Sequence, residues 1–88
     1  MEEFLRKIGI EYKGEYTDDN NYFIELESDD EYAKAYSILD KSTELEEDED
    51  ASQLTVDNAS IQYVNDNYTV TLLSDYESDQ YAIICREN

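Results

Sequence analysis

Residues 61–85 read IQYVNDNYTVTLLSDYESDQYAIIC, which is three runs of β-forming residues separated by two polar stretches. Residues 65–67 have the composition of a tight turn between strands, and residues 74–79 have that of a second turn. The flanking runs are rich in Val, Ile, Thr and Tyr, which favour strands. Because residues 81–85 are almost continuously apolar, we expect this last strand to lie in the centre of a sheet. The segment therefore predicts an antiparallel meander.

The first half of the chain predicts a hairpin and two helices. Apolar and polar residues alternate from 10 to 16 and again from 22 to 27, on either side of an Asp- and Asn-rich turn, which is typical of paired strands. Ser28 and Glu31 have the spacing of a capping box, so a helix should begin there and run to Asp40 or Lys41. Residues 2–8 predict a short helix that ends at Gly9. The core-facing side of the longer helix comprises Tyr32, Ala35, Tyr36 and Leu39.

These elements predict an α+β fold in a single domain that spans residues 1–88. We expect an antiparallel sheet of four to five strands, with one main helix packed on a face and a short N-terminal helix. At 88 residues a second hydrophobic core is not expected. The tyrosines that we expect to face the core are Tyr12, Tyr16, Tyr22, Tyr32, Tyr36, Tyr63 and Tyr81.

Residues 43–52 differ from the rest of the chain. Six carboxylates fall within the seven positions 44–50, and Leu45 and Ala51 are the only apolar residues of the segment. Like charges at this density repel one another, so the pattern predicts an exposed, mobile loop or a frayed helix end. Residues 54–56 are a short candidate strand that follows it.

The composition excludes several classes of chemistry. The chain has no His and one Cys, so a tetrahedral zinc site, a Cys–His pair and a Ser–His–Asp triad have no residues to form them. Counted from Asp18, an EF-hand loop would need Gly at the position of Phe23, so the spacing does not fit an EF-hand calcium-binding loop. We therefore expect no enzyme, no metal and no cofactor. A single Cys and the lack of a long apolar run lead us to expect a cytoplasmic protein without a membrane anchor.

The charge balance indicates the kind of partner. With 24 Asp and Glu against 6 Lys and Arg, the net charge is −18, which disfavours direct contact with nucleic acid or an anionic membrane. A domain of this length has a diameter of roughly 30 Å, and ~30 Å of duplex DNA carries roughly 18 phosphates. The chain thus matches duplex DNA in charge per length. This match favours a basic DNA-binding protein as partner, with a nuclease as the leading case.

Candidate partner-binding residues come from the acidic run and the two turns of the meander. If the meander runs up and down, its two turns lie at opposite ends of the sheet, roughly 20 Å apart for a six-residue strand. Tyr76 is included because Tyr is enriched among residues that dominate interfaces. The full set is Glu46, Glu47, Asp48, Glu49, Asp50, Asp66, Asp75, Tyr76, Glu77 and Asp79.

Small size, extreme acidity and richness in Asn and Tyr resemble the phage-encoded inhibitors that imitate DNA, among them several anti-CRISPR proteins. A more local resemblance is to the uracil-DNA glycosylase inhibitors: the strand FIELES at residues 23–28 is followed by a helix, and residues 68–73 and 81–85 are similar to that family's later strands. The glycosylase-inhibitor resemblance implies that Glu27 contacts the DNA groove of an enzyme. It also implies that a pocket between sheet and helix receives an apolar side chain.

Three hypotheses follow, from two classes of function. The first is an acidic inhibitor from a phage or mobile element that occupies the DNA-binding cleft of a bacterial nuclease, with a CRISPR effector as the leading target. The second is an inhibitor of a repair glycosylase or a toxin nuclease. The third is an acidic adaptor protein without an enzyme target. Salt-dependent binding to a basic nuclease separates the first two from the third.

Overall fold

The computed structural model describes residues 1–88, which form two helices and six strands. The six strands form one sheet in the order β1-β2-β6-β5-β4-β3, and every neighbouring pair is antiparallel. The elements in chain order are α1 (Glu2–Ile8), β1 (Glu15–Tyr16), β2 (Tyr22–Leu26), α2 (Asp29–Lys41), β3 (Glu46–Leu54), β4 (Asn58–Val64), β5 (Tyr68–Asp75) and β6 (Gln80–Glu87). Neither helix is long and apolar enough to cross a membrane.

The predicted count of four to five strands is wrong, because the sheet has six. The acidic run, expected as a loop or a frayed helix end, lies in β3 at one edge of the sheet. No residue of β3 is buried, so its charged side chains stay in water although the backbone pairs with β4. Its pairing with β4 contains a β-bulge: Asp48 is opposite Gln62 and Gln53 is opposite Ser60, so β3 advances five residues where β4 advances two. Mobility of residues 43–52 in the free protein stays a prediction.

The strand expected over residues 10–16 is shortened to the two residues of β1. Ile10 turns into the core instead, where it is buried. The backbone N–H of Gly14 donates to the hydroxyl of Tyr22 at 2.8 Å rather than to a strand. The chain passes β2 so closely there that a Cβ on Gly14 would collide with the carbonyl oxygen of Phe23. Of residues 54–56, only Leu54 belongs to a strand.

Helix α2 begins as its sequence predicts. Ser28 is the N-cap, and its hydroxyl accepts from the backbone N–H of Glu31 at 3.3 Å. The Glu31 carboxylate in turn accepts from the N–H of Glu27 at 2.8 Å. These bonds satisfy donors that a helix start otherwise leaves unpaired. Ala35 and Leu39 face the core, whereas Tyr36 is exposed, so the core-facing role predicted for Tyr36 is wrong.

Both helices cover the same face of the sheet. Leu5 of α1 and Leu39 of α2 are buried in one core cluster with Ile24, Leu72 and Ile83. Phe4 stacks on Tyr68 with 4.5 Å between ring centres. The central position predicted for the last strand is confirmed, since β6 lies between β2 and β5. The predicted core tyrosines Tyr22, Tyr63 and Tyr81 are buried, but Tyr16 is exposed.

Candidate functional site

The charges of the molecule are distributed unevenly. No Lys or Arg occurs from Ser42 to Cys85, although 11 carboxylates do. The structure has only two ion pairs, Arg6 with Glu2 at 3.8 Å and Lys7 with Glu44 at 3.7 Å, and both are exposed. Surface pairs of this kind contribute little to stability. Residues 42–85, which contain β3 to β5 and most of β6, therefore carry negative charge that no basic residue of the same segment compensates.

The turn between β5 and β6 is the centre of the strongest acidic cluster. The carboxylate of Asp75 accepts from the backbone N–H of Glu77 at 3.1 Å, which fixes the turn. The N–H of Tyr76 donates to the carbonyl oxygen of Asp57 at 2.8 Å, so the β3–β4 turn lies directly against the β5–β6 turn. Two turns that are about 20 residues apart in sequence thus present their carboxylates together.

The start of α2 joins the same cluster. Leu26, at the end of β2, pairs with Tyr81 of β6. Asp29 therefore lies beside that strand, and its carboxylate accepts a hydrogen bond from the Tyr81 hydroxyl. This bond, together with burial, raises the pKa of Tyr81 to about 12. We call this region the Asp75 end; its seven carboxylates are Glu27, Asp29, Asp30, Asp57, Asp75, Glu77 and Asp79.

Four of these seven carboxylates are absent from the sequence-based set: Glu27, Asp29, Asp30 and Asp57. The pairing of β2 with β6 brings the first three to this end of the sheet, and the pairing of β4 with β5, in which Asn58 is opposite Asp75, brings Asp57 there. The signal that could have found Asp57 is its place in a short polar stretch just before a strand. Nothing local in the sequence indicates that β2 pairs with β6.

The opposite end of the sheet is acidic but smaller. Asp66 lies in the β4–β5 turn, where the side chain of Asn65 accepts from the N–H groups of Asn67 and Tyr68 at 2.8 Å and 2.7 Å. The Asn65 amide also donates to the carbonyl oxygen of Glu44 at 3.0 Å. We call this region, comprising Glu44, Glu46 and Asp66, the Asp66 end. The eight residues of β5 separate the two ends by about 24 Å.

Strand β3 connects the two ends along the edge of the sheet. Its register places Glu46 and Asp48 on one face and Glu47, opposite Tyr63, on the other. Asp48 is committed to the backbone, because its carboxylate accepts from the N–H of Ala51 at 3.2 Å. The five acids from 46 to 50 therefore do not form one continuous stripe. No group of side chains in the structure is arranged to hold a metal ion.

An apolar groove lies beside the Asp75 end, between α2 and strands β3 and β4. Its volume is about 510 Å³, and its walls include Tyr36, Leu54 and Tyr76. Leu54 is 80 % exposed and Tyr76 is 48 % exposed. Tyr76 therefore stands as an exposed aromatic side chain between the carboxylates of one turn.

The single cysteine takes no part in these surfaces. Cys85 is fully buried in β6, and burial raises the pKa of its thiol to about 11. A protonated, inaccessible thiol is a poor nucleophile.

No protein-family model matches the chain, and no curated protein or solved structure matches it at a significant level.

Proposed function

We propose that the chain is a non-enzymatic inhibitor that occupies the DNA-binding cleft of a bacterial nuclease, with a CRISPR effector as the first target to test. The observation that carries the proposal is the Asp75 end. Three separate segments there converge to present seven carboxylates, none of which is in an ion pair. A basic cleft built for phosphates would be attracted to such a surface.

The dimensions support competition with duplex DNA. The longest extent of the molecule is 31 Å, over which duplex DNA carries roughly 18 phosphates. The net charge of the chain is −18. The two acidic ends, joined by β3, extend this charge along about 24 Å. A footprint of that length suits a groove-shaped cleft better than a single point contact.

The surface itself favours binding over chemistry. The exposed acids have no His, Cys or metal site among them, and the groups that would activate a nucleophile are therefore missing. Contact with phosphates is disfavoured, because clustered Lys and Arg would be needed. The partner that fits is a basic protein.

The apolar groove beside α2 favours a second candidate, an inhibitor of a DNA-repair glycosylase. The 510 Å³ groove adjoins the Asp75 end, so one partner could contact carboxylates and apolar surface together. A glycosylase target and a CRISPR target share the requirement for a basic DNA-binding cleft. Enzyme assays therefore have to distinguish them.

The test is an inhibition assay with two enzymes in parallel, a guide-loaded CRISPR nuclease on its target DNA and a uracil-DNA glycosylase on uracil-containing DNA. We expect one enzyme to be inhibited, with inhibition lost when duplex DNA is bound first and weakened as NaCl rises. Inhibition that changes neither with pre-bound duplex DNA nor with NaCl concentration would contradict DNA mimicry. If neither enzyme is inhibited, both named targets are wrong.

A charge-reversal pair locates the surface. The variant Asp75→Lys, Glu77→Lys, Asp79→Lys should weaken inhibition at least about tenfold, because like charges in a cleft repel. The matched control Glu3→Lys, Glu11→Lys, Asp18→Lys changes the net charge equally at exposed positions away from the Asp75 end. Equal inhibition by the two variants would contradict the assignment. Thermal melting by circular dichroism checks that both remain folded.

A further inference from the structure

One face of the sheet carries no covering element. Both helices pack on the other face, where the core lies. The strand register fixes which side chains point away from the helices: Phe23 pairs with Ile84, and Ala82 pairs with Glu25 and Leu73. These residues alternate along their strands with the buried core residues Ile24, Ile83 and Leu72. We call this side of the sheet the open face.

The centre of the open face is apolar. Phe23, Leu73, Ala82 and Ile84 lie at adjacent positions on three neighbouring strands; we call them the apolar patch. Phe23 is 36 % exposed, Leu73 and Ile84 are half-buried, and the small side chain of Ala82 is buried between them. A shallow concavity of about 570 Å³ runs from Phe23 past Leu73 and Ala82 to Asp75. Single exposed apolar residues are ordinary, but a contiguous set around a concavity is typical of a binding surface.

Carboxylates border the apolar patch on its β1–β2 side and at the end of β5. Glu15 is directly opposite Phe23 on β1, and Glu25 is directly opposite Ala82, so each acid is one strand spacing, about 5 Å, from an apolar neighbour. Asp75 follows Leu73 on the same side of β5, and Asp48 ends the row that contains Ile84. Arg86, the one basic residue on this face, follows Ile84 on the same side of β6, so the acids outnumber the bases on the rim.

The charge of this rim decides what can cover the patch. A second copy of the chain would bring the same acids and a net charge of −18 against them, so self-association through this face is opposed by repulsion. Nucleic acid is opposed for the same reason. An apolar side chain that is flanked by Lys or Arg complements this surface, because the side chain can contact the apolar patch and the basic residues can contact the carboxylates.

We propose that the open face is a docking site for an apolar side chain of a basic partner protein, whose flanking Lys or Arg residues contact Glu15, Glu25 and Asp75. The proposal rests on the proposed function, because it takes the partner to be a basic protein. It adds to the acidic contacts a site that binds an apolar side chain of that partner. Because Asp75 belongs both to this rim and to the Asp75 end, one partner contacts the two surfaces without a gap. Phe23, at the rim of the concavity, is the residue expected to dominate affinity.

The test uses two synthetic peptides and ¹⁵N-labelled protein at about 0.1 M NaCl, where the Debye length is about 10 Å. One peptide carries two leucines between two pairs of lysines, and the other carries two serines in place of the leucines. We expect the leucine peptide to shift the amide signals of Phe23, Leu73 and Ile84 and to bind about tenfold more tightly than the serine peptide. Equal affinities, or shifts confined to the α2 groove, would overturn the proposal.

Two pairs of variants complete the test. Phe23→Ser should abolish the tenfold preference for the leucine peptide, whereas Val56→Ser, at a site that is 94 % exposed in the β3–β4 turn, should retain it. If Phe23→Ser does not fold, Glu25→Lys replaces it: this exposed rim substitution should weaken the leucine peptide more than Glu3→Lys on α1 does. Equal effects within the folded pair would refute the docking site. Because no enzyme enters these titrations, their result is independent of whether a nuclease is inhibited.

Discussion

Strands β6 and β3 have almost the same length, eight and nine residues, yet they contribute to the molecule in opposite ways. Four residues of β6 are buried, namely Tyr81, Ala82, Ile83 and Cys85, and none of β3 is. Strand β6 pairs without interruption with both its neighbours, whereas β3 pairs on one side and through an irregular register. The centre of the sheet therefore contributes buried contacts that stabilise the fold, whereas the edge strand contributes exposed negative charge.

This difference separates stability from binding. The carboxylates of the Asp75 end lie in turns and at the start of α2, and those of β3 lie at the edge, so none of them fills the core. Substitution at such positions usually changes stability by less than substitution in a packed core. The partner-binding surface can therefore be altered while the fold persists, and the first two predictions measure how far the two strands differ.

The largest difference is expected in amide hydrogen exchange. Amides of β6 should exchange only through global unfolding, at least about a thousandfold more slowly than the bulged residues 49–52 of β3. In the bulge the contacts to β4 run through side chains, since the Ser52 hydroxyl accepts from the N–H of Gln62 at 3.0 Å. Exchange followed by mass spectrometry or NMR gives both rates. Strong protection across residues 43–52 would mean that the acidic run is firmly held.

A smaller but still large contrast is expected from truncation of one apolar side chain in each strand. Ile83→Ala removes a fully buried side chain from the core and should lower the free energy of unfolding by about 3 kcal/mol. Leu54→Ala removes a side chain that is 80 % exposed and should change it by less than about 0.5 kcal/mol. Urea denaturation measures both values. A cost at Leu54 similar to that at Ile83 would contradict the division between centre and edge.

Local patterns in the sequence were sufficient to predict the central strands of the sheet and the start of α2. Residues 61–85 carry their own turns, and an apolar run such as 81–85 has few places to lie except the middle of a sheet. The cap at Ser28 was likewise predictable, because its partner Glu31 is three residues away. Each of these features depends on residues that are close together in the chain.

The edge and the acidic site were not predictable in the same way. A run of six acids repels itself as an isolated segment, and the sequence does not show that an edge strand separates neighbouring charges by pointing them to opposite faces of the sheet. The assembly of the Asp75 end depends on β2 pairing with β6, a contact between residues more than 50 positions apart. Asp29 consequently could not be placed beside Asp75 from local patterns alone.

An alkaline pH should weaken the centre of the sheet through its thiol. The Cys85 thiol has a usual pKa of 9.0, and burial raises it to about 11. Because the folded state holds this proton more tightly, the resulting stability is fully present below about pH 9 and is lost as the pH rises through about 11. The loss should be about 3 kcal/mol.

Urea denaturation of the wild type and of Cys85→Ala at a series of pH values isolates this contribution. The wild type should lose more stability than the variant between about pH 9 and about pH 11. Tyr63 and Tyr81 also have raised pKa values, but they titrate in both proteins and cancel in the comparison. Parallel pH profiles would show that Cys85 is not held in an apolar environment.

The smallest effect concerns repulsion at the edge. Strand β3 has five carboxylates in succession and β6 has one, Glu87. Neutralising three exposed acids of β3, as Glu46→Gln, Glu49→Gln and Asp50→Asn, should raise stability by about 1 kcal/mol at low salt, or roughly 4–8 °C in Tm. Glu87→Gln is the control at the centre of the sheet and should change Tm much less. Added NaCl should raise the Tm of the wild type and reduce the gain of the triple variant, because screening removes the same repulsion. A wild-type Tm that stays flat or falls with salt would show that the acidic edge does not limit the fold.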